Sequence, residues 1–194
     1  MRIAVLAVQG DYEAHRQVLE RLGANPFYVR KPEELDRAEG LVIPGGESST
    51  FLKLLEHNGF LDKLKHFVHS RPTFGTCAGA ILLANEVVSP AQPSLGALDI
   101  SIRRNAYGRQ IESSIRQGTL QDSSLEMVFI RAPKIERVGR NVEVLARESG
   151  DPVLVRENHV MVATFHPELT HDTRVHEAFL DLALAEIMDA RAPG

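Results

Sequence analysis

Ile3-Ala4-Val5-Leu6-Ala7-Val8, then Gln9-Gly10-Asp11, then Tyr12 to Leu22 with Val18, Leu19 and Leu22 at helical spacing, is the stretch that decides the fold. A short, nearly continuous apolar run is what a central parallel strand needs when helices cover both faces of its sheet. The turn and the amphipathic segment after it complete a strand–turn–helix unit, and Gly23 supplies the helix stop. Working outward, the rhythm repeats: strands at Phe27 to Val29 and Gly40 to Ile43, a break at Pro44-Gly45-Gly46, and a helical pattern through Phe51, Leu54 and Leu55. Phe60 to Val68 reads as another amphipathic helix, Thr73 to Gly75 as a short strand, and Ala78 to Ala84 as a small buried helix. From Leu98 to Phe165 the texture becomes β-rich, with candidate strands at 98–103, 111–119, 125–131, 142–147, 153–156 and 160–165. Thr173 to Met188 closes the pattern as a helix, and Arg191 to Gly194 reads as a fraying tail. The expectation is α/β: a doubly wound, mostly parallel sheet with a β-rich extension, residues 1–194 forming a single domain. In such sheets sites form outside the carboxyl ends of the strands, which singles out loops 9–11, 44–48 and 75–79.

Composition narrows the function class. The 194 residues are 43% hydrophobic and 25% charged, enough for a substantial core. A formal charge of -4 and a pI near 6.1 provide no basic field, and Lys and Arg are scattered, so nucleic acid is not an expected partner. The first apolar run ends too early for a signal-peptide core or a membrane span, and no later run approaches spanning length, so neither a membrane nor export is expected. A single cysteine forms no internal disulfide, which fits a cytoplasmic protein whose thiol is available for chemistry.

Three short motifs sit where such a fold places its sites. Gly75-Thr76-Cys77-Ala78-Gly79 puts a cysteine between two glycines where a strand turns into a helix. This is the cysteine form of a nucleophile elbow, with unpaired helix N–H groups favouring a thiolate; a small buried core cysteine fits the pentapeptide equally well. His166-Pro167-Glu168 follows an expected strand, and an extended proline-fixed geometry would turn both side chains to one side. Histidine can take a thiol proton and return it to a leaving amine, while a carboxylate on its other nitrogen fixes tautomer and orientation; taken alone, the tripeptide fits a surface histidine and a solvated glutamate at a helix entry better. Pro44-Gly45-Gly46-Glu47-Ser48 opens a helix with glycines that let backbone N–H groups approach a ligand. Gly46 N–H and Ala78 N–H are the expected oxyanion donors. The alternatives are a plain Gly-rich turn with a serine cap or a phosphate loop, but G-x-x-x-x-G-K-[ST] is absent. His166, His171, His176 and the Glu13-Ala14-His15 stretch lack metal-ligand spacing; no metal is expected, and these histidines read as solvated or capping. Arg103-Arg104-Asn105 reads as a strand edge whose arginine can also grip a carboxylate.

Taken together, the three motifs resemble the signatures of class I glutamine amidotransferases in kind, order and spacing. Further segments, Ala7-Val8-Gln9-Gly10, Arg104-Asn105-Ala106-Tyr107-Gly108-Arg109-Gln110, Phe129-Ile130-Arg131-Ala132-Pro133 and Phe165-His166-Pro167-Glu168-Leu169-Thr170, resemble the glutaminase subunits of pyridoxal 5'-phosphate synthases over essentially the whole chain. The resemblance implies a flavodoxin-like fold, with Cys77 as nucleophile, His166 as general base and acid, and Glu168 as the orienting carboxylate. It implies that glutamine is held by Gly46, Glu47, Ser48, Arg104, Ile130 and Arg131, that no cofactor is needed, and that ammonia passes to a (β/α)8-barrel synthase subunit in a large hetero-oligomer. Arg104 suits the α-carboxylate of glutamine, and Glu47 or backbone carbonyls suit its α-ammonium. Glutaminases serving another acceptor, such as imidazole glycerol phosphate synthase, share size and triad, and a non-catalytic glutamine-binding subunit is the alternative from another class.

Overall fold

The computed structural model describes residues 1–104, 106 and 113–191, the side chain of residue 191 excepted. The first half follows the expected rhythm: β1 (Arg2–Leu6), α1 (Tyr12–Arg21), β2 (Asn25–Val29), β3 (Gly40–Ile43), α2 (Ser48–His57), α3 (Leu61–Val68), β4 (Thr73–Thr76) and α4 (Ala78–Leu83). The second half is β-rich: β5 (Ala84–Val88), β6 (Leu98–Arg103), β7 (Ser113–Leu120), β8 (Ser123–Ile130), β9 (Lys134–Val138), β10 (Glu143–Glu148), β11 (Asp151–Glu157) and β12 (Val160–Ala163). Helix α5 (Arg174–Arg191) ends the described chain, so Arg191 is helical rather than part of a tail, and 192–194 lie outside the described residues. Strands β5 and β9 and the 3-10 segments Pro32–Arg37 and Pro167–Leu169 were not foreseen in the sequence, and the first two residues of the expected strand at 111–119 lie outside the described residues.

A nine-stranded sheet runs β2-β1-β3-β4-β12-β11-β10-β7-β8, and a separate three-stranded sheet runs β5-β6-β9. From β2 to β12 every pairing is parallel, and from β12 to β8 every pairing is antiparallel. This is the doubly wound block with its β-rich extension. Period-two alternation explains the burial of the block on both faces. In β1, Ala4 and Leu6 join a core with Phe51, Leu55, Leu64 and Leu83 from α2, α3 and α4. Ile3 and Val5 point the other way, into a core with Leu19 of α1 and Val175 and Phe179 of α5.

The strand register sets up the site. Ile43 pairs with Gly75 and Ala163 with Thr76, so β3, β4 and β12 end at one carboxyl edge and release their loops side by side. The chain order reverses at β1, which has β2 on one side and β3 on the other. The loops after β1 and β3 therefore meet at a topological switch point. Their approach is close enough to dictate glycine: Gly10 has φ 84°, and a Cβ there would lie 1.7 Å from the Gly45 carbonyl oxygen.

Candidate active site

Cys77 sits between β4 and α4 at φ 48° and ψ -103°, a backbone conformation that costs a non-glycine residue about 1–3 kcal/mol. It is held there from outside: the Cys77 N–H donates to the Ala163 carbonyl across the sheet at 2.9 Å. The flanking glycines are required by space. A Cβ on Gly75 would meet the Gly79 carbonyl at 2.7 Å, and one on Gly79 would meet the Ile43 oxygen at 2.1 Å. The sharp turn thus presses α4 against β3 and β4 and presents the thiol at the sheet edge.

His166 follows β12, and its N–H donates to the Val128 carbonyl of β8 at 2.8 Å. His166 Nδ1 lies 2.7 Å from Glu168 Oε1, so the ring donates there, and its other nitrogen remains available to the neighbouring Cys77 side chain. The expected extended geometry is not what brings this pair together. Pro167–Leu169 is a 3-10 turn with proline at its start, and that turn folds Glu168 back onto the imidazole. Burial opposes charge on His166, but the Cys77 sulfur and the Glu168 carboxylate outweigh it and raise its pKa to about 10. Burial likewise opposes the Glu168 anion, and His15 and His166 more than offset it, holding that carboxyl below its ordinary range.

A cleft of about 270 Å³ opens over this pair. Cys77 and His166 line it together with Gly46, Glu47, Ser48, Arg104, Ile130 and Arg131, so the structure gathers the anticipated glutamine-holding positions around the thiol. Gly45 lets the loop pack directly against His166 and Cys77: a Cβ there would stand 2.5 Å from His166 Cε1 and 3.4 Å from Cys77 Cβ. The Ile130 carbonyl accepts a long contact of 3.9 Å from Cys77 Sγ, and Arg131 follows in the left-handed region at φ 43°. Ala78 is the first residue of α4, where the helix leaves its N–H groups without intrahelical partners. With its amide oriented to satisfy both ends, Gln9 donates to the Glu47 carbonyl and accepts from the Glu47 N–H, each at 3.1 Å, which ties the β1 loop to Gly46-Glu47.

The polar side chains at the mouth have specific local partners. Glu47, rather than a serine, caps α2: it accepts from the Ser49 and Thr50 N–H groups and from both their hydroxyls. Arg104 is no solvated edge residue; it donates to Glu47 Oε1 at 3.1 Å and to Ser49 Oγ at 2.7 Å. Its neighbour Arg103 pairs with Glu136, while Asn105 and residues 107–110 of the same motif lie outside the described residues. The buried Ser48 hydroxyl donates to Gln92 Oε1 at 3.0 Å.

Two histidines depart from the expectation. His171 is exposed, but His15 and His176 are fully buried and 3.0 Å apart, on the inner faces of α1 and α5 behind Glu168. Their signal was present in the helical period: His15 precedes Val18 and Leu19 by three and four positions, and His176 precedes Phe179 and Ala183 on the buried stripe of α5. The hydrophobic cleft residues Ile81 and Leu169 were also missed.

A doubly wound sheet with a cysteine elbow at its carboxyl edge and a histidine–glutamate pair beside it is the architecture of a class I glutamine amidotransferase. The profile of the SNO glutamine amidotransferase family matches residues 5–184, and the chain belongs to that family. It is 65% identical over 184 residues to the pyridoxal 5'-phosphate synthase subunit PdxT of Koribacter versatilis (strain Ellin345), covering 94% of this chain and 95% of that one. It is 51% identical to the protein of the same description from Thermosipho africanus (strain TCF52B), covering 94% and 98%. A crystal structure described as a glutamine amidotransferase superposes with a TM-score of 0.87 at 48% identity, over 93% of this chain and 98% of that one. The protein is thus a glutaminase-type enzyme. Among the described residues, no helix is long and apolar enough to cross a membrane.

Proposed function

We propose that residues 1–194 act as one glutaminase domain that hydrolyses L-glutamine with Cys77, His166 and Glu168 and delivers the ammonia to a synthase subunit for pyridoxal 5'-phosphate formation. The observation that carries the chemistry is the strained Cys77 elbow facing a His166 whose Nδ1 lies 2.7 Å from the buried Glu168. In this reading the proton of Cys77 passes to the imidazole of His166, whose pKa is raised to about 10. The sulfur then attacks the side-chain amide carbon of glutamine, and the carbonyl electrons move onto oxygen. Gly46 N–H and Ala78 N–H are the donors assigned to that oxyanion. Collapse breaks the carbon–nitrogen bond as His166 gives its proton to the leaving nitrogen, releasing ammonia and leaving a γ-glutamyl thioester. Water attacks the thioester while His166 takes its proton; the second collapse frees glutamate and restores the sulfur. Glu168 holds one tautomer of His166 throughout. Arg104 and Glu47 take the α-carboxylate and α-ammonium, and Ser48, Ile130 and Arg131 complete the walls. No step calls for a cofactor.

The synthase assignment is supported by the description of the relatives as pyridoxal 5'-phosphate synthase subunits. The partner in this reading is a (β/α)8-barrel subunit within a large cytoplasmic hetero-oligomer. The test is glutamate release from L-glutamine by the chain alone and with a candidate synthase subunit. Release stimulated by the partner and reduced at least about ten-thousand-fold in Cys77→Ala is the expected result. Release without stimulation contradicts the partner, and release that survives in Cys77→Ala contradicts the nucleophile.

A further inference from the structure

Behind the triad lies a set of buried polar groups that the reaction as written does not use. Glu168 Oε1 is taken by His166 Nδ1, whereas Glu168 Oε2 is fully buried and has no partner at ordinary hydrogen-bond distance. His15 Nε2 lies 3.5 Å from it, with both side chains at 0% exposure. The same His15 Nε2 is 3.1 Å from Thr76 Oγ1, the residue immediately before the nucleophile, and His15 Nδ1 is 3.0 Å from His176 Nε2.

The protons on this chain follow from chemistry. An ionised carboxylate only accepts, so the tautomer with hydrogen on Nε2 is the one in which His15 faces Glu168 favourably, that hydrogen lying between Thr76 Oγ1 at 3.1 Å and Glu168 Oε2 at 3.5 Å. Its Nδ1 is then an acceptor, which requires the hydrogen of His176 to sit on Nε2. In the opposite tautomer a ring lone pair would point at a buried anion. Burial holds the His15 pKa below its ordinary value, with the repulsion of His166 and against the attraction of Glu168 and Asp11; it also lowers His176 to about 3, with His15 and Arg21 acting in the same direction and Glu168 against it.

We propose that His15 is a positioning residue for the triad: its Nε2–H holds the second oxygen of Glu168, with His176 fixing the tautomer of His15, so that the carboxylate keeps its other oxygen on His166. The proposal rests on the Cys77, His166 and Glu168 reading above. It adds a relay running from α5 through α1 to the carboxyl edge of β4 and β12. A carboxylate fixed through one oxygen alone can rotate about its own axis, and the His166 ring would then lose its orientation toward Cys77. A contact of 3.5 Å is long for a hydrogen bond, and contacts of this kind tighten in the working complex.

The test uses the chain with its synthase subunit for turnover and the chain alone for thiol chemistry. Cys77 is the only cysteine in the sequence, so alkylation by iodoacetamide reports on it without glutamine or partner. His15→Leu should lower kcat about tenfold or more with KM changed less than about twofold, and should slow alkylation at neutral relative to alkaline pH by a similar factor. His15→Gln, whose amide nitrogen can reach the position of Nε2, should recover most of both losses. Equal losses in the two variants, or a change confined to KM, overturn the proposal and leave His15 as packing. Failure of wild-type glutamate release would instead break the glutaminase reading, and the alkylation contrast would still decide the role of His15. If His15→Leu gives no cooperative thermal transition, His176→Leu carries the test: about a threefold fall in kcat and in neutral-pH alkylation is expected, and no change in either overturns it.

Discussion

Two carboxylates of the same site live under opposite rules. The Glu168 side chain is at 0% exposure, pressed between His166 and His15 at the floor, whereas the Glu47 side chain is at 48% exposure at the mouth, bound to Arg104 and to the first turn of α2. Buried among imidazoles, a carboxylate cannot be replaced by water, so each of its oxygens needs a protein donor and each donor needs a fixed tautomer. At the mouth, water and salt screen the charge, and a carboxylate can serve as a helix cap while remaining within reach of a ligand. In the proposed reaction the floor serves orientation and the mouth binding. Substitutions should accordingly separate into changes in turnover and changes in affinity.

Glu168→Gln should give the largest effect. The amide preserves shape but turns an NH2 group toward one of two histidines whose N–H groups both require an acceptor. We expect kcat to fall about a thousandfold with KM changed only a few-fold, by the same logic that makes a triad aspartate sensitive to amidation. Steady-state glutamate release with the synthase subunit measures it. A KM effect larger than the kcat effect would show that floor and mouth are not separable.

Arg104→Ala probes the other side. Its guanidinium side chain is only 12% exposed yet donates to Glu47 and Ser49, so removal should raise KM for glutamine about ten- to a hundredfold and leave kcat within about threefold. Unchanged glutamine affinity would count against the carboxylate-binding role and leave Arg104 as a loop tie alone.

The same contrast explains what was legible in the sequence. Gly40–Ile43 begins and ends in the structure where its apolar run does, because a strand buried on both faces carries an uninterrupted hydrophobic signal. The Cys77 elbow was legible because its glycines are imposed by neighbours as near as the Ile43 oxygen, and such crowding leaves a fixed spacing in the chain. Strands β5 and β9 were not legible: Asn85-Glu86 and Glu136-Arg137 face solvent in a small sheet whose pairing is long-range, and their alternation is too short to register. His15 and His176 were misread because a polar residue type was weighed above its helical position. The helical period puts both on apolar stripes, but the pairing across α1 and α5 that satisfies them there is long-range, and no local pattern announces it. The His166–Glu168 contact was anticipated through the wrong geometry, since Pro167 starts a 3-10 turn where an extended link was expected.

Glu47→Gln should produce the smallest effect, and its sign distinguishes a screened carboxylate from a buried one. Burial alone would raise the Glu47 pKa, but the Thr50 and Ser49 hydroxyl and N–H donors overcome it and bring the folded value down from 4.5 to about 2. A depressed folded pKa means that stabilisation is present above about pH 4.5 and disappears as pH falls toward 2. Because the side chain is about half exposed, the full shift overstates the gain, and about 1 kcal/mol is expected, the ordinary worth of a helix cap. Chemical denaturation of wild type and Glu47→Gln should therefore differ by about that amount at neutral pH and converge near pH 2. Subtracting the two curves removes the other carboxylates, Glu168 included, from the comparison. A difference that stays constant across the acid range would mean that the cap works through its shape and not its charge, and the mouth would then be less electrostatic than its ion pair with Arg104 suggests.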